Sequence, residues 1–189
     1  MIIGILGDIG SGKTFVSNLL KFPVFNADKE IKNIYKENKK CYYDLKKCFP
    51  KKINNFPIDK KEISEILIKD KNNIKKIGKI IHPYVNKNLK KFLIKNKNKN
   101  IVLDIPLLVE NKILEGKMFL IFINAKKKDI EKRLLRRANF NKKIYNIVKK
   151  NQLSLSIKRK MSNIIIENNF KKKDLKKRVK EIRGILKNA

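Results

Sequence analysis

Gly7-Asp8-Ile9-Gly10-Ser11-Gly12-Lys13-Thr14 fits G-x-x-x-x-G-K-[ST], the pattern of a phosphate-binding loop. Its surroundings agree. Ile2-Ile3-Gly4-Ile5-Leu6 ahead of it is a short apolar run that reads as a buried parallel strand. Phe15, Val16, Leu19 and Leu20 behind it recur at helical spacing. Strand, glycine-rich loop and helix in that order are the context in which this spelling carries chemistry rather than an ordinary turn.

Glycine lets the loop backbone approach a phosphate closely, and several N–H groups then converge on one anion at the start of a helix. Lys13 is placed to reach the β- and γ-phosphates, and the Thr14 hydroxyl to ligate Mg²⁺. Residues Gly7, Asp8, Ile9, Gly10, Ser11, Gly12, Lys13, Thr14 and Phe15 are the expected ATP site. The motif predicts a nucleoside triphosphate with Mg²⁺. It leaves open what accepts the phosphoryl group.

The 189 residues suit one domain with inserted subdomains. No stretch is apolar for the roughly 18 residues that a membrane helix needs, and no signal peptide is expected at the N-terminus. Cys41 and Cys48 lack metal-ligand or disulfide-framework spacing, which points to a reduced, cytoplasmic setting. The formal net charge of +32 invites a nucleic-acid reading. The excess is diffuse, however, and comes almost entirely from lysine, with only Arg133, Arg136, Arg137, Arg159, Arg178 and Arg183 as arginines. Asn and Ile are abundant as well, the joint bias that AT-rich codons produce. No specific nucleic-acid partner and no membrane partner are expected, and a monomer is favoured.

Pro23-Val24-Phe25-Asn26-Ala27-Asp28 reads as a second strand ending in an acid. From Lys29 to about Asn100 the pattern is helical, with apolar positions three or four apart in 30–35, 63–68 and 74–81, and breaks expected at Pro50, Pro57 and Pro83. Strands follow at 101–105, 118–123 and 163–166. Helices are expected at 129–137, 142–152 and 174–186. Alternating strands and helices predict an α/β fold with a parallel sheet, whose ligands sit at the carboxyl ends of the strands.

Three further features carry chemistry. Asp28 suits either a base or positioning group for an acceptor hydroxyl, or the N-cap of a helix beginning near Lys29. Asp104 lies at the end of an apolar strand, where an acid holds Mg²⁺ in such folds, often through water; a turn acid before Pro106 is the simpler alternative. Arg133, Arg136 and Arg137 cluster on one expected helix, with 133 and 137 on one face. There they would serve as cations for a transferring phosphoryl group or as a solvated basic face. His82, the single histidine, reads by itself as a capping or packing residue.

Together these pieces resemble the dephospho-CoA kinase family. The resemblance rests on residues 4–14, on Asn26-Ala27-Asp28, on Ile81-His82-Pro83, and on Leu103-Asp104-Ile105-Pro106-Leu107-Leu108-Val109-Glu110. It rests also on Arg133 and Arg137, on Gln152 with Lys158 six residues later, and on Ile164-Ile165-Ile166-Glu167-Asn168. It implies a P-loop kinase fold with a five-stranded parallel sheet flanked by helices. The implied organisation is a core of 1–28, 101–128 and 162–189, a helical CoA-binding subdomain over 29–100, and a lid over 129–161. It implies transfer of the ATP γ-phosphate to the ribose 3′-hydroxyl of dephospho-CoA. In that reading Asp28 is the base, Lys13 and Arg137 act on the phosphoryl group, and His82, Pro83, Asp104, Pro106, Leu107 and Leu108 are on the acceptor side.

The chain departs from the family pattern at Asp8, where glycine is usual, at Phe170, near a usual glycine, and at Val148, Asn163, Glu167 and Ala138-Asn139. Two rivals remain. A small P-loop kinase acting on a nucleotide or nucleoside would not need the Pro-Leu-Leu segment after Asp104. A GTP-hydrolysing switch would need an acid to complete Asn111-Lys112-Ile113-Leu114, which lacks it.

Overall fold

The computed structural model of the chain describes residues 1–106, 108, 118–138 and 140–187. Five apolar runs form strands β1 (Ile2–Gly7), β2 (Val24–Asn26), β3 (Ile101–Asp104), β4 (Phe119–Asn124) and β5 (Ile164–Glu167). Their order is β2-β3-β1-β4-β5, and every neighbouring pair is parallel. The expected five-stranded parallel sheet is therefore present. Its central strands carry nearly continuous apolar sequence because both faces of such a sheet are covered.

The chain divides into two compact units. The first holds the whole sheet together with α1 (Lys13–Leu19), α6 (Lys127–Leu135), α8 (Leu155–Lys160) and α9 (Lys172–Lys187). Ile3, Ile5, Val102, Ile121 and Ile166 from the strands meet Val16 and Leu20 of the α1 segment and Leu175, Val179, Ile182 and Leu186 of α9 in one core cluster. The α9 residues follow 3–4 spacing and so line one stripe of the helix. Burying each such side chain contributes roughly 1.5–3 kcal/mol.

The second unit contains α2 (Ala27–Glu37), α3 (Lys39–Cys48), α4 (Lys60–Lys69), α5 (Asn73–Lys95) and residues 142–147, the first part of α7 (Lys142–Lys150). Helix α5 is its spine and packs against α2, α3 and α4. Asn38 caps α3 through the Cys41 N–H (2.9 Å), and Asp59 caps α4 through the Lys61 N–H (2.8 Å). The helical character expected for 29–100 is present, with one correction. Pro83 does not break the run; it lies inside the 23-residue α5. Ile77, Ile81, Val85 and Leu89, each four apart, are buried along one stripe that continues past it, while Pro83 itself is exposed. Packing of that stripe offsets the hydrogen bond that proline removes.

Candidate active site

β1 delivers the loop Asp8–Gly12 at its carboxyl end, and α1 begins at Lys13. The N-cap is Gly12, with φ 98° and no side-chain cap. A Cβ there would lie 2.5 Å from Asn168 Nδ2, so both the backbone angle and the close approach require glycine. Asn168, buried at the end of β5, donates from Nδ2 to the Ser11 carbonyl (2.7 Å) and accepts from the Phe170 N–H (2.8 Å). A segment 157 residues away thus braces the loop. The Lys13 ammonium lies over the loop, donating to the carbonyls of Asp8 (2.8 Å) and Gly7 (3.2 Å). Phe15 is partly buried and packs against the core cluster.

Asp104 stands at the end of β3, in register with Asn26 of β2. Its side chain is buried, and its Oδ2 accepts from both the Thr14 hydroxyl and the Asn26 amide, each at 2.6 Å. Parallel pairing of β3 with β1 and β2 carries Asp104, Asn26 and the loop to one edge of the sheet. A hydroxyl and a carboxylate in contact at that edge are hard oxygen donors. They fit Mg²⁺, which takes one or two protein oxygens and completes its shell with phosphate and water. Among the described residues no group of three or more His, Cys, Asp or Glu forms an all-protein metal cage.

Asp28 is exposed and sits in the first turn of α2, two residues beyond Asn26. This corrects two expectations. The strand ends at Asn26, not at Asp28, and α2 starts at Ala27, so Asp28 is not an N-cap but a first-turn acid facing the positive end of the helix dipole.

The arginines separate. Helix α6 ends at Leu135, so Arg136 is its C-cap and Arg137 lies in the turn beyond, which corrects the shared helical face expected for 133 and 137. The Arg133 guanidinium lies 5.1 Å from the centre of the Phe170 ring, a cation–π distance. Both line a cavity of about 310 Å³ with Asp129, Lys132, Arg136 and Asn169. Phe170 has φ 63°, in the left-handed region where glycine is usual.

His82 is exposed on α5, its ring against Gly78 one turn earlier, 3.4 Å from where a Cβ would be. Pro83 lines a second cavity, in the helical unit, of about 590 Å³ that also carries Lys40, Lys79, Lys87 and Lys91. Pro106 is half-buried. Leu108 is a core residue, 1% exposed, with Cδ2 2.7 Å from where a Cβ on Gly4 would stand. Leu107, Val109, Glu110 and Asn139 lie outside the described residues. Gln152 and Lys158 meet at 3.2 Å with the lysine buried, and α8 packs against β1.

Two residues of this site, Asn26 and Asn168, have no role assigned by the sequence pattern alone. Each is an asparagine at the end of a strand, and that position was the available signal.

A phosphate-binding loop ahead of a helix, a strand-end carboxylate bonded to its threonine and an all-parallel sheet define a P-loop NTPase/kinase fold. Comparison narrows the class. A family model for dephospho-CoA kinase matches residues 1–174. The chain belongs to the dephospho-CoA kinase family. It is 33% identical over 188 residues to the dephospho-CoA kinase of Wolbachia pipientis, covering 96% of each chain. It is 34% identical over 184 residues to that of Fusobacterium nucleatum, covering 95% of each. Among solved structures, a Thermus thermophilus protein superposes with a TM-score of 0.76 at 27% identity, over 98% of this chain and 97% of that one. The dephospho-CoA kinase of Campylobacter jejuni shares the fold, with a TM-score of 0.64 at 23% identity, over 96% and 94%.

Proposed function

We infer that the chain transfers the γ-phosphoryl group of ATP to the ribose 3′-hydroxyl of dephospho-CoA, giving coenzyme A and ADP. The observation that carries this is the Thr14–Asp104–Asn26 cluster beside the phosphate loop, in a chain matched by the family over 1–174. Phosphoryl transfer needs little covalent chemistry from a protein. It needs positioning and stabilisation of negative charge.

The roles divide accordingly. The backbone of 7–14 and the start of α1 cradle the phosphates. The Lys13 ammonium moves from the Gly7 and Asp8 carbonyls to the γ-phosphoryl oxygens. Thr14 and Asp104 hold Mg²⁺, which when bound with ATP neutralises charge on the β- and γ-phosphates. Asn26 fixes the Asp104 carboxylate. Asp28 accepts the proton of the acceptor hydroxyl or holds that hydroxyl in line. Arg137 supplies a further cation to the phosphoryl group, within a lid over 129–161. The helical segment 29–100, with His82 and Pro83, holds the CoA portion, and Pro106 and Leu107 serve the acceptor side. The enzyme works in the cytoplasm as a monomer, and its diffuse lysine charge serves no specific nucleic acid.

The test is ADP release by the purified protein with ATP, Mg²⁺ and a panel of hydroxyl acceptors. Turnover should depend on dephospho-CoA and yield CoA. Equal turnover with a nucleoside monophosphate and none with dephospho-CoA would refute the assignment.

A further inference from the structure

Asp8 puts a carboxylate inside a loop that must receive a tetra-anion. Solvation does not remove the conflict, because the Asp8 side chain is only 9% exposed. Its Oδ1 accepts from the Ile9 N–H at 2.8 Å, so the acid occupies one of the loop's own backbone donors. Its Oδ2 lies 3.5 Å from Nζ of Lys149, 141 residues further along the chain, in the last turn of α7. The pairs Lys52–Glu65, Lys127–Glu131 and Arg178–Glu181 join side chains that are all at least two-fifths exposed. Such pairs are screened and weak. The Asp8–Lys149 pair differs from them: its acid is shielded from water and built into the phosphate loop.

An uncompensated carboxylate on the loop repels bound triphosphate at short range, where screening by salt is least effective. A cation 3.5 Å away cancels most of that field and leaves the remaining loop donors attractive to phosphate. We propose that Lys149 is a positioning residue that neutralises the buried Asp8 carboxylate and holds it on the Ile9 N–H, so that a loop carrying an acid retains its affinity for ATP. The side chains act as a unit: the acid orders the first turn of the loop, and the lysine makes that acid compatible with phosphate. Lysine suits the task, since its compact charge sits on a flexible stem and its own side chain is 42% exposed.

This rests on the loop binding ATP but not on the identity of the acceptor. The experiment therefore measures binding of the non-hydrolysable analogue adenylyl imidodiphosphate with Mg²⁺ by calorimetry, with no acceptor present. Lys149→Met should weaken Kd roughly tenfold with an unchanged melting temperature, and Lys149→Arg should restore it. Asp8→Asn alone should tighten Kd, because it removes the negative charge from the loop and keeps the lysine. Asp8→Asn combined with Lys149→Met should return Kd to within about threefold of the natural protein. An equal loss from Lys149→Met with Asp8 present or replaced would overturn the proposal, because the lysine would then be a direct phosphate ligand. A silent Lys149→Met would overturn it as well. Failure of the unsubstituted protein to bind the analogue would reject the nucleotide reading itself, a result distinct from either.

Discussion

The Thr14 hydroxyl donates to Oδ2 of Asp104 at 2.6 Å, joining the first turn of α1 to the end of β3 across 90 residues of sequence. The pair places two hard oxygens where the phosphate loop ends. Thr14→Val keeps the shape and removes one of them. It should raise the Mg²⁺ concentration needed for half-maximal rate and lower kcat, read from initial rates against free Mg²⁺. Asp104→Ala should be more damaging. It removes the second oxygen and takes away the acceptor that the Asn26 amide and the Thr14 hydroxyl share, so it should also lower the melting temperature. A variant at either position with an unchanged Mg²⁺ profile would remove that residue from the metal site.

The Lys13 ammonium lies over the phosphate loop, donating to the Gly7 and Asp8 carbonyls. An ammonium at that place stabilises negative charge as it spreads over the phosphoryl group in the transition state. Lys13→Ala should lower kcat by roughly 10² or more at saturating ATP. Near-full kcat in that variant would refute the role.

Asp28 is exposed in the first turn of α2, so its replacement should leave the fold intact. Asp28→Asn should cost under about 1 kcal/mol through the lost charge–dipole interaction. If Asp28 takes the acceptor's proton, the same change should slow transfer at least about a hundredfold while ATP binding persists. Single-turnover rates beside a thermal melt separate the two. A fully active Asp28→Asn protein would leave positioning, not base catalysis, as the source of the rate.

The two cysteines should differ sharply. Cys48 is exposed, whereas Cys41 is buried in the helical unit, where burial and then the Asp44 carboxylate push its thiol up to about 11. Thiolate is the reactive form, so a thiol reagent at about pH 8 should label one site quickly, and Cys48→Ser should abolish that phase. The shift also has a sign for stability. The folded state favours the protonated thiol, so this contribution is fully present below the unfolded value of 9.0 and is lost as pH rises through about 11. Rapid labelling of both cysteines in the folded protein would contradict the packing around Cys41.

Hydropathy period and one motif made much of the fold legible. Short apolar runs alternating with amphipathic helices, the first followed by a glycine-rich loop, fit the buried strands of a parallel sheet. That combination specified the parallel sheet, the phosphate loop and the helical stretch over 29–100. Asp104 was legible for the same reason, as an acid closing an apolar strand.

Local rules failed where packing outweighed them. Pro83 looked like a helix end, because a proline removes a backbone bond; the stripe Ile77–Ile81–Val85–Leu89 carries α5 through it. Asp28 reads as a cap or the end of a strand, because β2 passes directly into α2 between Asn26 and Ala27 with no intervening loop to mark the change. Only the tertiary structure decided that Asn26 and Thr14 share one oxygen of Asp104, that Asn168 braces Ser11, and that Lys149 reaches Asp8. Periodicity is a property of neighbours a few residues apart. These contacts span 78 to 157 residues and depend on strand order and register, which place distant carboxyl ends side by side.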